Sequence, residues 1–286
     1  MSGEVEPVQE VGEVVAVERV GAYVEFTVRA PGVAAAFAPG HFVAVAVGGD
    51  DSTLVLRRAF ALYGAAPGAG TVRLVVAERG AGTRWLGEQK IGARLDLVGP
   101  LGRPFPMPIA PGPIVLVGGG YGTAPLIPLA ERLIAVGCQV TMVIGASTAH
   151  RLFGEPAARR ILGQVIVTTD DGSAGSAGLV TDPLPTAIAR IRAGAIYACG
   201  PMAMLQAVGE VAKAHGIPAL VAVEEAMACG IGVCMTCVLP VRGDDGCSRF
   251  VRSCVEGPVF AADRVRWEDV GRLPEDLVGA DAMKGH

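Results

Sequence analysis

Between residue 8 and about residue 100, short runs of β-branched and apolar residues alternate with glycine, proline and polar breaks. The runs at 11–20, 22–29, 41–47, 53–62, 71–78 and 93–98 predict strands. Turn signals separate them at Pro31-Gly32, Pro39-Gly40, Gly48-Gly49-Asp50-Asp51 and Pro67-Gly68-Ala69-Gly70. Strands at this regular spacing predict a closed or nearly closed antiparallel barrel, interrupted by one helical stretch at about 82–89. The proline-rich passage Pro104-Phe-Pro-Met-Pro-Ile-Ala-Pro-Gly-Pro113 then reads as a connection between domains.

From Ile114 the pattern changes. Apolar strand-like runs at 114–117, 139–145, 164–168, 195–198 and 219–223 alternate with helical periodicity at about 125–136, 155–162, 183–192 and 202–215. Such alternation predicts a parallel sheet with helices on both faces. A cysteine-bearing loop follows, and residues 258–286 read as a tail with one weakly helical piece. The expected units are therefore 1–105, 106–223 and 224–286, with no internal repeat.

Composition narrows the classes. Hydrophobic residues make up 51% of 286 and aromatics only 5%, so Val, Ala, Leu and Ile must carry the packing. The 40 glycines and 20 prolines are spread among apolar runs and signal tight turns rather than low complexity. A net charge of −4 without a basic block argues against nucleic acid as a partner. The most apolar stretch, Ile114 to Ala146, is cut by Gly118–Gly120, Pro125, Pro128, Glu131 and Arg132, short of the roughly 18 uninterrupted apolar residues of a membrane span. The acidic start Met-Ser-Gly-Glu-Val-Glu lacks a signal-peptide pattern, and seven cysteines, an odd number, suit a reducing compartment. A soluble cytoplasmic protein is expected.

The cysteines carry the sharpest chemistry. In Cys229-Gly-Ile-Gly-Val-Cys234-Met-Thr-Cys237, four residues separate the first pair and two the second, and Cys254 follows after sixteen intervening residues. This is the C-x4-C-x2-C…C spacing of plant-type [2Fe–2S] centres. Four thiolates must converge on a flat two-iron cluster, and Gly230 and Gly232 allow the turns that wrap a short loop around it. A structural zinc site is the alternative, but zinc usually takes paired C-x2-C knuckles and only one such pair is present. Cys247 could also be the fourth ligand by spacing alone.

A second candidate site is Gly118-Gly-Gly-Tyr-Gly-Thr-Ala-Pro125, between a predicted strand and a predicted helix. There a glycine turn can bring backbone N–H groups and a helix N-terminus against a diphosphate. The run does not fit G-x-G-x-x-G, yet a plain strand–helix turn needs only one or two glycines rather than four, so the strand–turn–helix context favours nucleotide binding. Tyr197-Ala-Cys-Gly-Pro-Met202 ends a later strand, and Asp170-Asp-Gly-Ser173 ends a strand between it and the glycine run on the same side, where parallel sheets place their ligands.

Taken with the barrel and the cysteine loop, these motifs resemble the ferredoxin–NADP reductase superfamily. Thr169-Asp-Asp-Gly-Ser173, Gly178-Leu-Val-Thr-Asp182, Cys199-Gly-Pro-Met202, Glu224-Glu-Ala-Met-Ala-Cys-Gly-Ile-Gly-Val-Cys234 and Arg252-Ser-Cys-Val-Glu-Gly-Pro-Val-Phe260 resemble the electron-transfer subunits of NAD-type (class 1B) dihydroorotate dehydrogenases. The resemblance implies a flavin-binding antiparallel β barrel, an α/β parallel-sheet nucleotide domain and a small C-terminal [2Fe–2S] domain. FAD would be held by Arg58, Ala59, Phe60 and Ala61, by Val75, Val76 and Ala77, and by Gly82 and Thr83. Gly99-Pro-Leu-Gly102 resembles the family turn that closes the barrel. NAD would be held by Gly118, Gly119, Gly120, Gly122, Thr123, Cys199, Gly200, Pro201 and Met202, and the cluster by Cys229, Cys234, Cys237 and Cys254. The context of Cys254 favours it over Cys247.

The same resemblance implies a partner, an FMN-containing catalytic subunit, with two copies of each chain. Dihydroorotate would be oxidised in the partner, and electrons would pass through [2Fe–2S] and FAD to NAD⁺ in pyrimidine (UMP) biosynthesis. This chain would not oxidise dihydroorotate alone. Paralogous subunits of a sulfide dehydrogenase or a ferredoxin–NADP oxidoreductase share most of these motifs, and a zinc-stabilised nucleotide-binding module is the reading from another class. Ala61 stands where the family has a serine, so a hydroxyl beside the flavin is missing. One of Arg57 and Arg58 fits an arginine snorkelling to solvent. Cys138 reads as a small core residue, Cys199 as a packing residue near the nicotinamide rather than a nucleophile, and His41 as a turn histidine at the barrel rim. Arg151 could reach a 2′-phosphate, yet no arginine directly ends the second α/β strand, which favours NAD over NADP.

Overall fold

The structure, a computed structural model, describes residues 6–49, 52–274 and 276–277. Asp50 and Asp51 of the expected turn, and the last residues of the 258–286 segment, lie outside the described residues.

Six strands close the expected antiparallel barrel. They are β1 (Val8–Val20), β2 (Tyr23–Arg29), β3 (Phe42–Val45), β4 (Arg58–Ala66), β5 (Thr71–Ala77) and β6 (Arg94–Leu101), in the order β1-β2-β5-β4-β3-β6 with β6 pairing back to β1. Alternate positions point inward, so Phe26, Leu62, Leu74 and Leu97 fill the interior with no exposed surface. Two short helices, α1 (Pro31–Ala35) and α2 (Ala81–Gly87), join the strands.

The fourth strand starts at Arg58, not at residue 53 as the apolar run predicts. The Arg57 guanidinium reaches across to β6, donating to the Asp96 carboxylate at 2.6 Å and to the Asp96 carbonyl at 3.0 Å. That tie holds residues 52–57 in a loop and delays the ladder to Arg58.

The proline-rich passage anchors the second unit. Phe105 N–H donates to the Pro39 carbonyl at 2.8 Å, and the Tyr197 hydroxyl donates to the Pro106 carbonyl at 3.0 Å. Then follow β7 (Pro113–Gly119), α3 (Leu126–Ala135), β8 (Gln139–Ala146), α4 (Glu155–Leu162), β9 (Ile166–Thr169), β10 (Ser176–Ala177), α5 (Leu184–Ile191), β11 (Ala195–Cys199), α6 (Met202–Ala214) and β12 (Ala219–Ala222). The sheet order is β10-β9-β8-β7-β11-β12, all parallel. One face packs on Leu126, Leu129 and Leu133 of α3 and the other on Leu184 of α5 and Leu205 of α6, the expected double covering.

Past the sheet lies a hairpin that the sequence pattern did not reveal, β13 (Val238–Arg242) with β14 (Ser248–Arg252). The segment from 258 is also more than a tail. Val259–Ala261 forms β15, which pairs antiparallel with β12 and adds a seventh strand to the large sheet. Three residues are too few for a periodicity signal, and this strand is set by its neighbour. Among the described residues no helix is long and apolar enough to cross a membrane.

Candidate functional site

The parallel sheet reverses its winding between β7 and β11, and the turns after these two strands pack directly against each other. A Cβ on Gly122 would lie 2.6 Å from the Cys199 carbonyl oxygen, and one on Gly119 would lie 2.5 Å from the Met204 sulfur. At Gly122, where the near atoms are backbone, only glycine permits that approach. Part of the glycine run is therefore explained by strand–helix packing at the point where open α/β sheets bind ligands.

A cavity of about 450 Å³ opens there. Gly119, Gly120, Gly145, Asp170, Pro201 and Met204 line it, drawn from the carboxyl ends of β7, β8, β9 and β11. Of the residues expected around NAD, Gly119, Gly120 and Pro201 face this space. Gly122 and Cys199 face a second cavity instead, and Gly118, Thr123, Gly200 and Met202 line neither. Thr123 is fully buried, and its hydroxyl has no hydrogen-bond partner among the described residues. Burial pushes the Cys199 thiol far up, with the Glu224 carboxylate adding to the shift, which disfavours the thiolate form.

The second cavity, about 350 Å³, lies between the barrel and the sheet. Ala59 and Ala61 of β4 present small side chains on the outer face of the barrel at its wall, while Phe60 between them points inward. A strand showing only methyl groups along one side offers the flat apolar surface that a planar ring system needs. Beyond this wall, Arg58 lies against the first turn of α2, its Nε 3.3 Å from where a Cβ on Gly82 would be. Thr83 Oγ1 accepts from the N–H groups of Arg79 at 2.8 Å and Gly80 at 2.9 Å, which fixes that turn. Val75 and Val76 are buried within β5, and Ala77 is half-buried at its end. A guanidinium beside a helix start is a fit for a diphosphate next to a ring platform. The donor set and the bare strand suit FAD.

Two residues wall both cavities, Tyr121 and Glu224. The Tyr121 hydroxyl donates to Glu224 Oε2 at 3.1 Å. Its ring packs edge-on to Tyr23, centroids 5.7 Å apart, and the Arg79 guanidinium lies over it at 5.4 Å. Burial raises the Glu224 carboxyl, while the Tyr121 hydrogen bond and Arg79 pull it back only in part. Sequence reasoning passed over Tyr121, Glu224, Tyr23 and Arg79 as site residues. Tyr121 sits inside the glycine run, but nothing in the spacing distinguishes a loop side chain that faces a cavity.

The cysteine loop packs on the barrel rim. A Cβ on Gly230 would lie 3.3 Å from Leu101, 3.4 Å from Ala44 and 3.6 Å from Phe42, and Phe42 also lines the second cavity. Cys237 and Cys254 are buried in a small apolar cluster with Phe42, Ala44 and Leu101, whereas Cys229 is half-buried and Cys234 exposed. The N–H groups of Ile231 and Val233 each donate to Cys229 Sγ at 3.4 Å. Bonds from Thr236 and from Cys229 hold the Cys234 thiol down at about 6. Burial pushes Cys254 up to about 12, and the neighbouring Cys237 thiol adds to it. The buried Cys254 thiol beside Cys237 is the one whose ionisation a cationic cluster would relieve. Among the described residues no three ligand-type side chains gather on one ion. A two-iron cluster does not need that, because each iron takes only two thiolates.

Cys247 sits apart. It lies in the turn at the Arg242–Ser248 end of the β13–β14 hairpin, while Cys237 and Cys254 flank the Val238–Arg252 end. Strand rise separates the two ends by about 13 Å.

A barrel and a parallel sheet that share two cavities, with a four-thiol loop at the rim, define a reductase that handles electrons through bound cofactors. Residues 224–266 match the family described as the iron–sulfur cluster binding domain of dihydroorotate dehydrogenase B. The dihydroorotate dehydrogenase B (NAD(+)) electron transfer subunit of Desulforamulus reducens is 33% identical over 86% of this chain and 92% of its own. That of Geobacillus thermodenitrificans is 38% identical over 79% and 86%. Among solved structures, a chain of an NADH-dependent reduced ferredoxin–NADP oxidoreductase, studied for flavin-based electron bifurcation, superposes with a TM-score of 0.81 at 31% identity, covering 96% of this chain and 94% of that one. The chain belongs to the family of dihydroorotate dehydrogenase B electron-transfer subunits.

Proposed function

We propose that this chain carries electrons from a dihydroorotate-oxidising partner to NAD⁺ in pyrimidine biosynthesis, through a [2Fe–2S] cluster and FAD. One observation carries the reading: the thiol loop, the second cavity and the first cavity adjoin in series. Phe42 touches the loop and lines the second cavity, and Tyr121 with Glu224 separates the second cavity from the first. Bound there, the cluster supplies one-electron steps, and the flavin converts them to the two-electron hydride that nicotinamide takes.

In this reading Cys229, Cys234, Cys237 and Cys254 hold the cluster. Arg58, Ala59, Phe60, Ala61, Val75, Val76, Ala77, Gly82 and Thr83 hold FAD. Gly118, Gly119, Gly120, Gly122, Thr123, Cys199, Gly200, Pro201 and Met202 shape the NAD site. The units are 1–105 for FAD, 106–223 for NAD and 224–286 for the cluster. Asp170 and Arg151 both line the first cavity; Asp170 directly follows β9, where it suits a ribose hydroxyl and repels a 2′-phosphate, and NAD is the reading taken here. The partner is an FMN-bearing catalytic subunit, two copies of each, and Ile231, Val233 and Met235, each more than half exposed around the cysteine loop, offer it an apolar docking rim. All seven cysteines are free, which suits the cytoplasm.

Anaerobic co-purification with the co-expressed partner, followed by an assay of dihydroorotate-dependent NAD⁺ reduction, tests this. The complex is expected to reduce NAD⁺ and each chain alone to fail. A complex that reduces NAD⁺ with sulfide or reduced ferredoxin but not with dihydroorotate would overturn the reading.

A further inference from the structure

The two cysteine-bearing segments are tied together by one side chain. Arg252 ends β14 two residues before Cys254, and its Nη1 donates to the carbonyl of Gly232 at 3.0 Å. Gly232 lies between Cys229 and Cys234 in the first segment, at φ +83°. A Cβ there would lie 2.5 Å from Val255 and 3.4 Å from Arg252 Nη1, so the loop is pressed onto the last-ligand segment.

Glu256 fixes the guanidinium from the other side. Its Oε1 accepts from Arg252 Nη2 at 3.0 Å and its Oε2 from the Arg252 backbone N–H at 2.9 Å. The Arg252 carbonyl in turn accepts from the N–H of Glu256 at 2.9 Å and of Val255 at 3.0 Å. The side chains are only about a third exposed, at 37% and 30%. An isolated exposed pair of this kind would contribute little to stability. Its place is the informative feature: a fixed positive charge bonded to the ligand loop, with its counter-charge one step further along the chain.

We infer that Arg252 and Glu256 are a positioning pair that sets the reduction potential of the [2Fe–2S] centre, Arg252 raising it and Glu256 lowering it. The inference rests on the cluster assignment made above. Reduction adds one negative charge to the cluster. A guanidinium held beside the thiolates favours that state, and a carboxylate behind it opposes it. The bond to Gly232 also keeps the loop closed over the metal. The function served is the match between the donor in the partner and the flavin in this chain, because the cluster stands between them.

The test is EPR-monitored redox poising of the anaerobically purified complex, with chelator-driven loss of the cluster as a second readout. Arg252→Met is expected to shift the cluster midpoint downward and to speed cluster loss. Glu256→Gln is expected to shift it upward, and Arg252→Lys to keep more of the parent midpoint than Met while losing the cluster faster than the parent. Opposite shifts in Arg252→Met and Glu256→Gln would not follow from a purely structural role. Midpoints unchanged in both, or moved in the same direction, would overturn the inference. If Arg252→Met cannot hold its cluster, the sign of the Glu256→Gln shift decides alone. A parent complex without the EPR signal of a reduced [2Fe–2S] centre would instead overturn the cluster assignment itself.

Discussion

His41 occupies the turn before β3 and is 3% exposed. Its Nδ1 accepts from the Ala38 N–H at 3.1 Å, a contact that requires the neutral ring. Burial, with the Arg132 charge adding, pushes it down to about 4. The folded value lies below the unfolded one, so the unfolded chain binds a proton first as pH falls. Stability from this residue is therefore full above about pH 6.5 and is lost between about pH 6.5 and about pH 4, up to about 3 kcal/mol in all. His41→Asn is expected to flatten the fall of Tm across that window, and an equally steep fall would show that other groups govern it. The sequence gives His41 a turn and a barrel rim but not this burial, which depends on how Pro39-Gly40 meets the later passage at Phe105.

At the scale of elements, the longer periodic runs were legible and the short ones were not. The barrel strands and the strand–helix alternation follow from apolar spacing. The start of β4 does not, because a cross-strand tie from Arg57 to Asp96 outweighs the apolar run before it. The β13–β14 hairpin escaped because cysteine chemistry dominates that stretch, yet it is what places the thiols. It brings Cys237 and Cys254 to one end and sends Cys247 to the other. Cys254→Ser is accordingly expected to abolish the visible and EPR spectrum of the cluster, and Cys247→Ser to leave both intact. The converse result would exchange the two roles.

Across the whole molecule, the first cavity is built from surfaces of both units. Tyr23 and Arg79 come from the barrel, Tyr121 from the turn after β7 and Glu224 from the segment after β12, and together they wall the first cavity. Such a meeting has no signature in local spacing, which is why the glycine turns were readable and this wall was not. Tyr121 divides the two cavities, so Tyr121→Ala is expected to join them. In FAD-loaded protein, addition of NADH should then give a stronger long-wavelength charge-transfer band than in the parent. An unchanged spectrum would mean that the ring is no barrier between the two sites.

The pairing of β15 with β12 has one more consequence. Ala222 and Val259 face each other as ladder partners, so everything from 223 to 258, including all four proposed cluster ligands, is an excursion from a single hairpin. Both ends of that excursion are clamped side by side in the sheet. Loss of metal by oxidation would loosen the excursion without opening the sheet beneath it, and a damaged lobe could be refilled in place.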